Sequence, residues 1–380
     1  MAGAGTALPM DTMATALNPA LMVYTGDRLD IGLASFFPSR GFTANDPNPA
    51  PGAFPAGSYE SDNSVFFIPS LGYNKMLTSD TSLGISIGGN GGMNTEYDWA
   101  VFGGFGAGSK PTGIDLIQLF VGVSLSHKIS RDHSVGVAPI LSIQSLSVKG
   151  LEAFQGLSVH PDRVTNKGRD WSYGGGVRVG WRGQLTDSFS AGISYQTRLW
   201  MSRFDKYSGL IAEEGDFDIP PIFNVGIAYK LTPTFTALAD VQHIFFDDIK
   251  SLSNSNNTIM APGSLGGSSG LGFGWEGMTV YKFGLQWVMN DSWTWRAGYS
   301  KASDVLAGGQ ALFNILAPAT VTDHVTAGLT YKLSDQDGIN FAGMHAFSKK
   351  IHGSNPNTPN QTGYLEMSQN ELEISWSHKF

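Results

Sequence analysis

The sequence predicts an all-β chain: a 14-stranded antiparallel transmembrane β-barrel with a small N-terminal hatch, or plug, in its lumen. Three observations carry that reading. First, the chain closes on Leu372-Glu373-Ile374-Ser375-Trp376-Ser377-His378-Lys379-Phe380. Leu372, Ile374, Trp376 and Phe380 are apolar, while Glu371, Glu373, Ser375, Ser377 and Lys379 between them are polar. A two-residue period describes a strand with one greasy and one wet face, and a last strand ending on a C-terminal Phe is the pattern of bacterial outer-membrane barrels. Alone, that segment fits the edge strand of a soluble sheet as well. Second, the same alternation recurs along the whole chain. Third, the connections alternate strictly between tight turns and long loops, like the periplasmic and extracellular rims of such a barrel.

Residues 1–27 are assigned to the hatch and 28–380 to the barrel. The first 27 residues alternate poorly, as in Ala14-Thr15-Ala16-Leu17-Asn18-Pro19-Ala20-Leu21-Met22. Small side chains around a Pro breaker suit a compact plug better than a strand. A disordered tail is the other reading, but this segment is poor in charge. Asn18 and Pro19 are expected to fix a tight turn there, Pro by presetting its backbone angle and Asn by bonding nearby backbone.

Strands follow at 28–42, 64–77, 82–97, 113–129, 134–150, 171–186, 188–207, 217–232, 235–250, 278–290, 293–305, 320–334, 338–351 and 365–380. Tight turns such as Ser130-Arg131-Asp132, Thr186-Asp187 and Asn290-Asp291 join them at one end. Long polar or Gly/Pro-rich loops lie near 43–63, 98–112, 151–170, 208–216, 251–277, 306–319 and 352–364. Parity assigns the faces: Tyr281, Phe283, Leu285 and Trp287 share one side, Lys282 and Gln286 the other. Trp181, Tyr229, Trp287, Trp293, Tyr331 and Trp376 near the short turns would form an interfacial girdle. The third strand carries Gly88-Gly89-Asn90-Gly91-Gly92, and glycine clusters in strands mark bulges and weak pairing.

Composition agrees with this class and excludes others. The 380 residues hold 48 glycines, 12% aromatics and 15% charged residues. No apolar run approaches the roughly 18–20 residues of a membrane-spanning helix, yet a barrel's alternating faces cancel to a weak average. Cysteine is absent, which removes disulfides, thiolate zinc sites and cysteine nucleophiles. A net charge of −8 without a basic stripe argues against nucleic acid. Eight scattered histidines give no metal-ligand spacing, so neither metal nor cofactor is expected. No nucleophile-elbow signature supports catalysis, although an outer-membrane barrel enzyme such as a lipase stays the rival class. Met1 is followed by Ala2-Gly3-Ala4-Gly5 without a charged or apolar leader region, so the export signal is expected to be missing from this chain.

The stretch from Gly3-Ala4-Gly5-Thr6 to Asp11, followed by Ala16-Leu17-Asn18-Pro19-Ala20, resembles the hatch of the FadL family of outer-membrane channels for hydrophobic compounds. The likeness continues in Ile219-Pro220-Pro221, in Trp293-Thr294-Trp295-Arg296-Ala297-Gly298-Tyr299 and in Asp323-His324-Val325-Thr326-Ala327-Gly328. The family hatch usually carries further residues ahead of the Gly-Ala stretch, so its start is expected to be missing. The resemblance implies passive uptake of hydrophobic small molecules by a monomer in the lipid bilayer and lipopolysaccharide of a Gram-negative outer membrane. It further implies an extracellular loop groove, a pocket above the hatch and a lateral opening at a kinked third strand. Gly88, Gly89, Asn90, Gly91 and Gly92 are the candidates for that opening, and Asp11, Asn18, Pro19 and Ala20 for the hatch. A simple curvature bulge is the alternative at the glycines.

Leu151, Phe154, Leu157, Val159, Leu210 and Ile211 lie among polar loop residues. Either they line the ligand groove or the loops pack on one another. Long-chain fatty acids are the first expectation for substrate, aromatic or alkane hydrocarbons the second. A fatty acid calls for a lumen cation to hold its carboxylate, with Arg198, Arg178 and Lys282 as candidates. The other reading pairs these cations with lumen acids or with hatch groups.

Overall fold

The computed structural model describes residues 1–45, 51–310 and 313–380. Fourteen strands close into one antiparallel barrel: β1 Arg28–Asn45, β2 Phe66–Thr78, β3 Thr81–Tyr97, β4 Thr112–Lys128, β5 His133–Lys149, β6 Asp170–Gln184 and β7 Phe189–Gln196, then β8 Ile222–Lys230, β9 Phe235–Ile244, β10 Met278–Val288, β11 Trp293–Ala302, β12 Asp323–Lys332, β13 Asp337–Asn355 and β14 Thr358–Lys379. Each strand pairs with its neighbours in sequence, and β14 returns to pair with β1 from Arg28–Lys379 to Asn45–Thr362. Closure removes the open edges that lipid does not tolerate. Two short strands, Gly57–Glu60 and Trp200–Met201, pair with the tops of β1 and β6.

The tight turns lie where short polar side chains bond the backbone. Asn290 Oδ1 accepts from the backbone N–H groups of Ser292 and Trp293, and Ser334 Oγ from those of Gln336 and Asp337. Such turns replace backbone pairing with a local bond and reverse the chain within a few residues. Along the strands, outward side chains are apolar and exposed, as at Leu83, Val123, Leu125, Phe283 and Leu285. Their inward neighbours Ser82, Ser124, Ser126 and Lys282 are buried.

Several boundaries differ from the sequence-based ones. The seventh strand stops at Gln196 instead of 207, so Arg198 lies beyond the strand end rather than mid-strand. The eighth begins at Ile222, since Pro220 and Pro221 have no N–H for the ladder. The ninth ends at Ile244, where the chain turns into short helical segments at Phe246–Asp248 and Lys250–Ser253. The region 352–364, expected as a long loop, is mostly strand: β13 and β14 extend to Asn355 and from Thr358 and form one tall hairpin. Its polar residues read as loop, yet Asn355, Thr358 and Gln361 are buried and bond to the segment at 51–54. Residues 46–50 and 311–312 of the expected loops 43–63 and 306–319 lie outside the described residues.

The wall is therefore uneven. It is 22 residues tall at β14 and eight at β7. Over the low side, loop segments fold into the barrel mouth and build the largest apolar cluster of the molecule, including Phe102, Phe154, Phe204, Tyr207, Phe273, Phe313 and Leu316. The main hydrophobic core thus occupies the extracellular end of the lumen.

Candidate functional site

The N-terminal segment fills the opposite, periplasmic half. Thr12–Ala16 and Pro19–Tyr24 form two 3-10 turns, capped by the side chains of Asp11 and Asn18. Asn18 is fully buried. Its Oδ1 accepts from Ala20 N–H, and its Nδ2 donates to the carbonyls of Thr6 and of Trp181 in the wall. The Ala20 carbonyl accepts from Ser126 and Ser134 on β4 and β5. Close approach explains two wall glycines. A Cβ on Gly180 would lie 2.0 Å from Asn18 Oδ1, and one on Gly136 would lie 2.4 Å from the Pro19 carbonyl carbon. Only glycine leaves room there.

Lumen charges hold the rest of the segment. Asp240 accepts from the backbone N–H groups of Gly5 and Thr6. Asp30, paired with Arg28 at 2.8 Å, accepts from the backbone and hydroxyl of Thr12. Beside the segment, towards β11–β14, a chamber of about 740 Å³ remains, lined among others by Arg28, Arg296, His324, Glu371 and Glu373. Charged walls favour water there.

The third strand breaks where its glycines lie. β2 and β3 pair from Thr78–Thr81 up to Ser70–Gly88 and no further. Above that level β3 pairs with β4 alone, and a bulge displaces Asn90 between the Gly89–Leu119 and Gly91–Gln118 pairs. Higher up, Asp62 N–H donates to the Glu96 carbonyl. Among the described residues, Gly89–Thr95 of β3 therefore form a window without backbone pairing on the β2 side. The extra residue also reverses parity: Ser82 and Ser86 face inward below it, Met93, Thr95 and Tyr97 above it. Outside the window, Val65, Phe67, Ile117 and Leu141 present apolar side chains to the surroundings, Phe67 being 67% exposed.

Level with the upper part of the window lies an apolar cavity of about 40 Å³. Ile114 and Leu116 of β4 and Leu146 and Val148 of β5 form its wall. Leu210, Ile211, Phe217, Leu271, Phe273, Phe313 and Leu316 close it from the loops. Among the described residues, the Ser251 hydroxyl is the one side-chain polar group on that lining, and it is buried without a partner there. Hydrogen bonds from the upper part of β3 hold the roof: Tyr97 Oη donates to the Ile315 carbonyl at 2.8 Å and Thr95 Oγ1 to the Leu316 carbonyl at 2.7 Å. At roughly 30 Å³ per water, the cavity is about one water in size, so an organic solute enters only if the loop side chains part.

Of the six expected groove residues, Leu210 and Ile211 line this cavity. Leu157 is partly buried against the loop core, and Val159 stays 45% exposed where it bonds to Leu265. Leu151 and Phe154 are instead wholly buried. Phe154 is enclosed by the rings of Phe102, Phe105 and Phe313 at 4.9–5.7 Å. There the loops pack on one another and leave no groove.

The three candidate cations also lie away from this cavity. Arg198 pairs with Asp218 at 2.5 Å and stacks on Trp200 at 4.3 Å. Arg178 donates to the Thr15 carbonyl at 3.2 Å and to Gln196, so it holds the N-terminal segment. The Lys282 Nζ sits over Gly3, 3.2 Å from where a Cβ would lie. None of the three lines the apolar cavity. Sequence reasoning missed Gln118, Gln144, Tyr97 and Phe313, whose roles depend on contacts between distant segments. The parity change after Gly89 was the one signal available for Tyr97. Among the described residues, no group of three His, Asp or Glu side chains is placed to hold a metal.

A closed antiparallel barrel with an occupied lumen and a broken third strand defines an outer-membrane channel for molecules that avoid an open aqueous pore. The chain belongs to the outer membrane protein transport protein family (OMPP1/FadL/TodX), whose sequence model matches residues 1–375. No curated protein matches it. Among solved structures it is similar to the P. putida toluene transporter TodX, at TM-score 0.74 and 18% identity over 100% of this chain and 97% of that one. It is similar also to the Ralstonia pickettii toluene transporter TbuX (TM-score 0.66, 18% identity, 100% and 96% covered). A Pseudomonas aeruginosa FadL homologue gives 0.71 at 14% identity, with 99% and 96% covered. The protein is an outer-membrane β-barrel of a hydrophobic-compound transport family.

Proposed function

We propose that this chain, acting as a monomer, passively takes up neutral hydrophobic molecules, with aromatic or alkane hydrocarbons ahead of long-chain fatty acids. Solute enters the apolar cavity between the extracellular loops and leaves sideways through the window at Gly88–Gly92. Residues 1–27 act as the hatch that closes the direct route. The observation that carries this reading is the lining of the cavity, apolar but for one hydroxyl among the described residues, with Arg198 and Arg178 bound elsewhere and Lys282 placed beside Gly3, away from the cavity. Magnitudes decide between the substrates. An aromatic ring burying roughly 200 Å² gains about 5 kcal/mol at ~25 cal/mol per Å². A carboxylate carried into the same site without a counter-charge meets a penalty on the order of several kcal/mol. The apolar side chains outside the window favour release into the membrane over release into water.

Resemblance to transporters described as carrying toluene supports the same preference. The test is direct binding to purified protein of a radiolabelled monoaromatic hydrocarbon and a long-chain fatty acid. The hydrocarbon should bind, and Leu316→Lys should remove that binding while Arg198→Met leaves it unchanged. Fatty acid bound more tightly than hydrocarbon, and lost in Arg198→Met, would overturn the preference.

A further inference from the structure

Between the cavity and the window runs an unbroken chain of side-chain amides. Asn90, the displaced residue of the bulge, donates from Nδ2 to Gln118 Oε1 at 3.0 Å. Gln118 Nε2 donates to Gln144 Oε1 at 3.0 Å, and Gln144 Nε2 to the Phe217 carbonyl at 2.9 Å. Phe217 is itself a wall of the apolar cavity. The two ends of the proposed route are thus joined by three hydrogen bonds.

Geometry places this chain across the path. Leu116 lines the cavity, and Gln118 is the next inward residue on β4, about 7 Å away along the strand. Gln118 stands opposite Gly91, within the unpaired stretch of β3, and Gln144 stands opposite Gln118 on β5. Gln144 is fully buried. Leu116 stands opposite Met93 in the upper part of the window, so a solute moving from there to its glycine part at Gly89–Gly91 passes the Gln118 amide and displaces it from at least one partner. Since each amide donates to the next, freeing Gln118 leaves both an acceptor and a donor unpaired, which a hydrocarbon cannot replace.

We propose that Gln118, positioned by Gln144 and Asn90, is a latch that sets the rate and the solute preference of lateral release. This rests on the lateral route proposed above. A solute carrying a hydroxyl takes over one of the vacated bonds in transit; a hydrocarbon does not. The latch therefore slows hydrocarbons more than their phenols.

The test measures initial uptake of a radiolabelled monoaromatic hydrocarbon and the corresponding phenol by intact Gram-negative cells lacking other such channels. These cells produce the native chain, Gln118→Leu, Gln144→Leu or a chain with Asn90 deleted. Heat-modifiable migration in gels confirms assembly of each. Gln118→Leu should raise the maximal hydrocarbon rate about 3- to 10-fold, the weight of one or two amide bonds, leave half-saturation unchanged and affect the phenol less. Gln144→Leu should act in the same direction more weakly, and it decides alone if Gln118→Leu fails to assemble. Deleting Asn90 removes the bulge, restores pairing and should abolish uptake. If that deletion abolishes uptake but neither leucine variant accelerates it, the latch is wrong and the lateral route stands. If the deletion leaves uptake unchanged, both fall.

Discussion

The two halves of the lumen are built on opposite principles. The periplasmic half keeps a chamber of about 740 Å³ among charged side chains and an N-terminal segment hydrogen-bonded to the wall. The extracellular half is packed with apolar loop side chains, leaving about 40 Å³. One half is held by directional bonds to defined partners, such as those of Asn18, Asp30 and Asp240. The other is filled chiefly by apolar side chains, whose packing is non-directional, under a roof held by the Tyr97 and Thr95 hydrogen bonds. On the proposed route, solute enters through the soft half, the rigid half closes the direct path, and the window in β3 is the exit.

The contrast breaks most visibly if the rigid half is removed. Deleting residues 1–20 should turn a nearly silent protein into one that conducts ions in planar bilayers, since it removes the hydrogen-bonded closure of the polar half. Gly180→Val should do the same more weakly, because its side chain meets Asn18 Oδ1 and unseats the turn. A truncated barrel that conducts no better than the intact one would place the closure elsewhere.

In the soft half, Leu316→Lys puts an unpaired charge in the apolar cavity. Hydrocarbon binding should fall by about 100-fold, equivalent to roughly 3 kcal/mol, with the conductance unchanged. Equilibrium binding and bilayer recordings on the same variant separate the two halves.

Smaller effects sharpen the boundary. Arg198→Met removes the pair with Asp218 that pins the loop beyond β7. It should lower the thermal midpoint by a few degrees while sparing hydrocarbon affinity. Asp216, in that loop, has its carboxyl pushed above the usual range by burial, then by repulsion from Asp218, against the pull of Arg198. The folded state therefore holds this proton more tightly than the unfolded one. Stability from Asp216 grows as pH falls through the raised value and is lost as pH rises through it. Asp216→Asn should flatten that part of the stability–pH profile and make the neutral-pH protein slightly more stable. Thermal melts at pH 4 to 8 read the difference.

Much of the wall was legible because a membrane barrel writes its geometry locally. The alternation at Tyr281–Trp287 and the turn residues at Asn290 and Ser334 each fix an element within a few positions. The N-terminal segment was legible for a similar reason, as the Asn18-Pro19 turn needs no distant partner to form. The site was harder. Arg198 read as mid-strand because its neighbours alternate, but two prolines at 220 and 221 deprive β7's partner strand of donors at that height. Leu151 and Phe154 were apolar residues in a loop, and their neighbours Phe102 and Phe313 come from remote segments. The amide chain from Asn90 to Phe217 spans four segments, and no local pattern announces it.

The most direct test of a soft apolar entry with a lateral exit is a crystal structure of the protein soaked with iodobenzene, read by anomalous scattering. Iodine should appear among Leu210, Ile211, Phe273, Phe313 and Leu316 with the loops parted, and at lower occupancy beside Gly91. Iodine confined to the polar chamber between Arg296 and Glu371 would contradict it.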